Sequence, residues 1–186
     1  MRAAVFYATR EGQSQRVAER VAAGLRRRGA QADVINVKTA HGRVAVSGYQ
    51  TAFVVASVHA GHHEKEMIEF VRGVRDGLTS VGASFLSLTL SQAGAEDPNA
   101  TPAQRAAARN DALRMIDVFS RETGWHPARA LPVAGALTYS KYNFLKKLIM
   151  KRIAHKAGFD GDTARDYEFT NWQAIDEFVD ESGRAA

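Results

Sequence analysis

Short apolar runs alternate along the chain with segments whose apolar positions recur at helical spacing. "AAVFYA" (3–8) predicts a first strand, and "QRVAERVAAGLRRRG" (15–29) a helix with Val17, Val21 and Leu25 on one face. Arg26 to Arg28 suit the negative end of that helix, and Gly29 suits its C-terminal cap. "ADVINV" (32–37) predicts a second strand. "TAFVVASV" (51–58) predicts a third, apolar throughout, as a strand covered on both faces reads. "EKEMIEFVRGVRDGL" (64–78) predicts a helix with Met67, Phe70, Val71 and Val74 inward, and "ASFLSLTL" (83–90) a fourth strand. "SQAGAEDPNATP" (91–102) has the composition of a long loop, followed by a helix over 103–122. "ARALPVAGAL" (128–137) predicts a fifth strand, and "NWQAIDEFVDES" (171–182) a closing helix.

Strand–helix alternation of this kind predicts an α/β fold: a doubly wound, five-stranded parallel sheet with helices on both faces. The length of 186 residues suits one domain over 1–186. Such sheets bind ligands beyond the carboxyl ends of their strands, where the strand order reverses. The connection after the first strand is therefore the first candidate. It reads Thr9-Arg10-Glu11-Gly12-Gln13-Ser14. A helix N-terminus, two hydroxyls and a glycine that lets the backbone turn in close can converge on a phosphate. An ordinary capped strand-to-helix turn reads the same way. Neither the G-x-x-x-x-G-K-[ST] nor the G-x-G-x-x-G pattern is present.

"SVHAGHH" (57–63) ends the third strand and brings His59, His62 and His63 into one segment. Adjacent histidines seldom point at one ion, and H-E-x-x-H is missing, so the segment argues against a metal site. It reads either as a polar loop before a helix or as the wall of a ligand pocket, where a histidine moves protons near neutral pH.

Composition changes the picture in two places. The absence of cysteine excludes disulfides, thiolate catalysis and cysteine-held metals, and fits a reducing compartment. The start of the chain lacks the pattern of a signal peptide, and no apolar stretch has the length of a membrane span. Net charge is +5, from 25 basic and 20 acidic residues. Six of those bases lie in "KYNFLKKLIMKRIAHK" (141–156), which has no acid, leaving 19 against 20 elsewhere. The basicity is thus local and does not mark a general nucleic-acid surface. Tyr142, Leu145, Leu148, Ile149 and Ile153 share one helical face there, with the lysines largely on the others. That pattern fits a core-packed helix with a solvated basic side, or a helix lying on an anionic membrane.

These pieces resemble a known family. The loop [T/S]-x-x-G-x-[T/S], here Thr9, Gly12 and Ser14, is similar to that of flavodoxins. The blocks "YATREGQSQRVAERVAAGLRRRGAQADVINV", "ASVHAGHHEKEMIEFV", "VAGALTYSKYNFLKKLIMKRI" and "DTARDYEFTNW" resemble the flavodoxin-like, quinone-dependent protoporphyrinogen IX dehydrogenases of bacteria. The third block is the most specific, since ordinary flavodoxins lack such an insert. The chain departs from the family at Ala60 and His63, where relatives tend to carry aromatic residues.

The resemblance implies a flavodoxin-like sheet in the order 2-1-3-4-5, with a basic amphipathic helical insert (141–157) before the last helix. It implies FMN, with its phosphate held by Thr9, Arg10, Glu11, Gly12, Gln13 and Ser14. Its ring would lie between Ser57, Val58, His59 and Gly61 on one side and Leu90, Ser91 and Gln92 on the other. Glu11, awkward beside a phosphate, is expected to turn away or pair with Arg10. The implied reaction oxidises protoporphyrinogen IX to protoporphyrin IX in haem synthesis and sends the electrons to menaquinone or ubiquinone. Tyr139, Tyr142, Lys146, Lys147, Lys151 and Arg152 would meet lipid phosphates or porphyrin propionates. His59, His62 and His63 are then the nearest titratable groups for the substrate's proton. The implied location is the cytoplasm, at the inner face of the cell membrane. A flavodoxin-type electron carrier and a generic FMN-dependent quinone reductase are the alternatives. The pI of 9.7 argues against a carrier, which is usually acidic.

Overall fold

A computed structural model describes residues 1–40, 44–137 and 166–182. Five strands form the parallel sheet: β1 (Arg2–Tyr7), β2 (Gln31–Asn36), β3 (Thr51–His59), β5 (Ser84–Thr89) and β6 (Arg129–Ala134). Their spatial order is β2-β1-β3-β5-β6, which is the expected 2-1-3-4-5. A two-residue strand, β4 (His62–His63), folds back antiparallel on the end of β3. A separate pair joins β7 (Ala136–Leu137) to β8 (Tyr167–Glu168).

Both faces of the sheet are covered, and this makes the strands read as unbroken apolar runs. Ala3, Val5 and Tyr7 of β1, with Phe53 and Val55 of β3, face α1 (Gln13–Arg27) and α5 (Trp172–Ser182). The intervening Ala4, Phe6, Ala52, Val54 and Ala56 face α2 (Lys65–Ser80) and α4 (Pro102–Thr123). Side chains still alternate with period two, but each half finds a core of its own. Phe85 stacks on Phe119 at 4.4 Å, with Trp125 edge-on beside them.

Helix ends follow their local chemistry. Arg26 and Arg27 stand in the last turn of α1, and Gly29 follows at φ 82°. There Gly29 N–H donates to Arg26 O and Ala30 N–H to Leu25 O, the paired bonds of a glycine-terminated helix. Thr101 and Gln104 cap α4 reciprocally.

The structure corrects three expectations. The segment over 91–102 is not a loop throughout, because α3 (Leu90–Glu96) occupies its first half. Thr89 Oγ1 accepts from Ser91 N–H to start that helix, and Ala93 and Ala95 are buried. The strand expected over 128–137 divides: the sheet keeps Arg129–Ala134, and the chain passes Gly135 to pair with β8. The histidine segment is a hairpin rather than a loop, since Ala60 (φ 52°) and Gly61 (φ 84°) turn the chain tightly between β3 and β4. The insert at 141–157, with Tyr139, Tyr142, Lys146, Lys147, Lys151 and Arg152, lies outside the described residues. No helix among the described residues is long and apolar enough to cross a membrane.

Candidate functional site

Parallel strands place all their carboxyl ends on one edge, and a small cleft of about 60 Å³ opens there. The β1–α1 connection supplies Thr9, Glu11 and Gln13 to its wall, and the end of β3 supplies Ser57, Val58 and His59. Leu88, Thr89 and Leu90 come from the end of β5, and Gly135 and Ala136 from the turn after β6. The cleft lies where the strand order reverses, between β1 and β3.

The first connection is shaped by Gly12. It takes φ 103°, which is strained for any side chain, and its N–H donates to Thr9 Oγ1 at 2.8 Å. Thr9 accepts that bond and keeps its own hydroxyl hydrogen for a ligand. Helix α1 has no side-chain cap and no acidic residue in its first turn. Its first amides therefore present an uncompensated positive end, in contrast to the fully capped α4. Gln13 anchors the connection from far along the chain, donating to Glu168 Oε1 at 2.9 Å and Thr170 Oγ1 at 2.7 Å.

The other residues singled out from the sequence divide. Ser14 is 1% exposed and does not line the cleft; it supports the wall from behind, donating to Ser57 Oγ at 3.0 Å. Glu11, expected to turn away or pair with Arg10, is among the residues that line the cleft. Arg10 is exposed, and its charge helps hold the Glu66 carboxyl below its ordinary range, behind the larger effects of a backbone hydrogen bond and Lys38. Of Leu90, Ser91 and Gln92, Leu90 alone lines the cleft. The Ser91 amide is held by Thr89, and the Gln92 side chain donates along the helix to Glu96 at 2.7 Å.

The hairpin separates the three histidines. His59 lines the cleft. His62, with its side chain 72% exposed, faces Glu122 of α4 at 3.7 Å. His63 is 4% exposed and sits in the core, 4.8 Å from the Phe119 ring and 2.9 Å from Ser87 Oγ. Burial pushes its pKa down to about 4, against the opposing charge of Glu64, with His59 and His62 adding to the fall. His62 and His63 therefore leave the set of groups that reach a ligand in the cleft. Successive residues of a strand point to opposite faces, and the turn returns His63 to the α2–α4 side. Among the described residues, no group of three or more histidine, aspartate or glutamate side chains could hold a metal ion.

Thr89, Leu88, Gly135 and Ala136 were not identified from the sequence. The signal was the strand register, since Thr89 pairs with Ala134 in neighbouring strands and their ends open on one edge.

The fold and cleft define a flavodoxin-type α/β protein. A family model described as "Flavodoxin domain" matches residues 4–164, and the chain belongs to that family. A short-chain flavodoxin associated with a non-canonical PDU bacterial microcompartment has the same fold, at a TM-score of 0.57 and 13% identity, covering 100% of this chain and 99% of that one. Two relatives are similar over most of their sequence. Protoporphyrinogen IX dehydrogenase [quinone] of Escherichia coli (strain K12) is 29% identical over 181 residues, 97% of this chain and 94% of the relative. The protein of the same name from Leishmania major is 24% identical over 176 residues, 94% of this chain and 71% of the relative. The expected membership in a flavodoxin-like family, and the resemblance to these dehydrogenases, are therefore borne out.

Proposed function

We propose that the protein is an FMN-dependent dehydrogenase that oxidises protoporphyrinogen IX to protoporphyrin IX and passes the electrons to a membrane quinone. The observation that carries this reading is the similarity to the dehydrogenase of Escherichia coli over 97% of the chain, which takes in the basic segment 141–156. A carrier flavodoxin has no use for that segment.

The cleft residues fit the flavin. The uncapped start of α1 and the Thr9 hydroxyl supply donors for its phosphate. Ser57, Val58 and His59 on one side, and Leu90 on the other, flank the space for its ring. FMN, when held there, would supply the oxidant for the substrate's hydrogens. The chain's own residues position the substrate and remove the accompanying proton. His59 is the histidine that reaches the cleft, and it takes that proton. The basic segment supports docking on anionic lipid, where the quinone is dissolved, and with it a location at the inner face of the membrane.

Purified protein tests this directly. A visible flavin spectrum and release of FMN on denaturation are expected. Protoporphyrinogen IX should bleach the flavin without oxygen, and a menaquinone or ubiquinone analogue should restore it. A colourless protein overturns the cofactor. A flavin that ignores the porphyrinogen overturns the substrate.

A further inference from the structure

A fully buried carboxylate stands directly behind the cleft. Glu64 begins α2 but does not cap it with its side chain. Both of its oxygens turn instead to β3. Oε2 accepts the Ser57 N–H at 2.9 Å, and Oε1 accepts the Ser57 hydroxyl at 2.7 Å. His59 Nε2 lies 3.1 Å from that same Ser57 Oγ and 3.4 Å from Glu64 Oε1. Ser14 Oγ reaches Ser57 Oγ from α1 at 3.0 Å. Burying a carboxylate is costly, and here both of these hydrogen bonds go to one residue of the cleft wall, with His59 beside it.

The hydrogens around Ser57 can be counted. A serine hydroxyl carries one hydrogen and accepts two, while an ionised carboxylate only accepts. Glu64 Oε1 accepts from the Ser57 hydroxyl at 2.7 Å, so the Ser57 hydrogen belongs to Glu64. Ser14 and His59 must then both donate to Ser57 Oγ. It follows that His59 Nε2 carries a hydrogen and Nδ1 carries the lone pair.

We propose that Glu64 is a positioning residue. Acting through Ser57, it fixes His59 as the Nε2–H tautomer and leaves Nδ1 as the base. The catalytic part of this rests on the dehydrogenase reading above. Each two-electron step releases one hydride, the flavin's share, and one proton, which goes to Nδ1. The resulting imidazolium keeps Nε2–H toward Ser57 and Glu64, whose negative charge offsets the new positive one. The ring is 24% exposed, so the proton then passes to water.

The test is the tautomer itself. Full-length, flavin-loaded protein is labelled with ¹⁵N-histidine and examined by two-bond ¹H–¹⁵N correlation above pH 8, where imidazoles are neutral. His59→Gln identifies the resonances. A protonated Nε2 and an unprotonated Nδ1 are expected for His59. In Glu64→Gln the amide N–H₂ faces Ser57, whose hydroxyl then donates to Nε2, so the His59 tautomer should reverse. Turnover of that variant should fall about 10- to 100-fold with KM little changed. An Nδ1–H tautomer in the unmodified protein, or an unchanged tautomer or turnover in Glu64→Gln, overturns the proposal. The unmodified protein decides the tautomer even if the variant does not fold. A correct tautomer in a protein whose flavin ignores porphyrinogen supports Glu64's role and rejects the substrate.

Discussion

His63 makes the fold sensitive to acid, and the size of the effect follows from its surroundings. Its imidazole is 4% exposed, and burial lowers its pKa to about 4. In the unfolded chain the ring titrates near 6.5. Above that pH the ring is neutral in both states and costs nothing. As pH falls below about 6.5, the unfolded chain takes up a proton that the fold refuses, so stability is lost until the folded ring protonates near 4. The interval between 6.5 and about 4 corresponds to about 3 kcal/mol, most of which is gone at pH 4.5. His63→Gln removes the titration and keeps a polar partner for Ser87. Urea unfolding followed by tryptophan fluorescence at pH 7.5, 6.0, 5.0 and 4.5 gives the comparison. Carboxylate contributions are common to both proteins and cancel. The unmodified protein should lose about 2–3 kcal/mol more than the variant between pH 7.5 and 4.5. Parallel pH profiles would refute the argument, because they would mean that the buried ring accepts its proton as easily as a solvated one.

Three further outcomes are expected. Thr9→Ala removes a hydroxyl from the cleft wall and should weaken FMN binding about 10- to 100-fold in a fluorescence titration of the apoprotein; an unchanged Kd would sink the phosphate assignment. Gly12→Ala places a side chain at φ 103° and should cost about 1–2 kcal/mol in urea unfolding, with none of that loss if the loop relaxes freely. Reversing Lys146, Lys147 and Lys151 to Glu should weaken flotation with phosphatidylserine vesicles by at least about 100-fold, from roughly 1 kcal/mol for each of the three lysines lost; equal flotation would show that the basic segment does not meet the membrane.

Much of the fold was legible because α/β chemistry is local. The apolar run 51–58 marked a strand with two covered faces, and Gly29 marked the end of α1. The helix Leu90–Glu96 was hidden, because Gly94 and the turn-forming residues after it dominate the composition of its segment. Its start depends on the Thr89 side chain, and its stability on small residues buried in the tertiary structure. The division of the last strand depends on β8, about thirty residues further along the chain.

The candidate site shows the same boundary. The sequence by itself determined the five strands of the parallel sheet, most of the helices, the glycine turn at 12 and the edge of the sheet where a ligand must bind, since periodicity and turn chemistry act over a few residues. Only the tertiary structure decided which side chains arrive there. His59 and His63 look equivalent in "SVHAGHH", yet one lines the cleft and the other is sealed against Phe119. Glu64 reads as a helix-starting glutamate, yet it is buried and bound to Ser57. A single turn at Ala60 and Gly61 separates these fates, because it reverses the chain and commits each following side chain to a face.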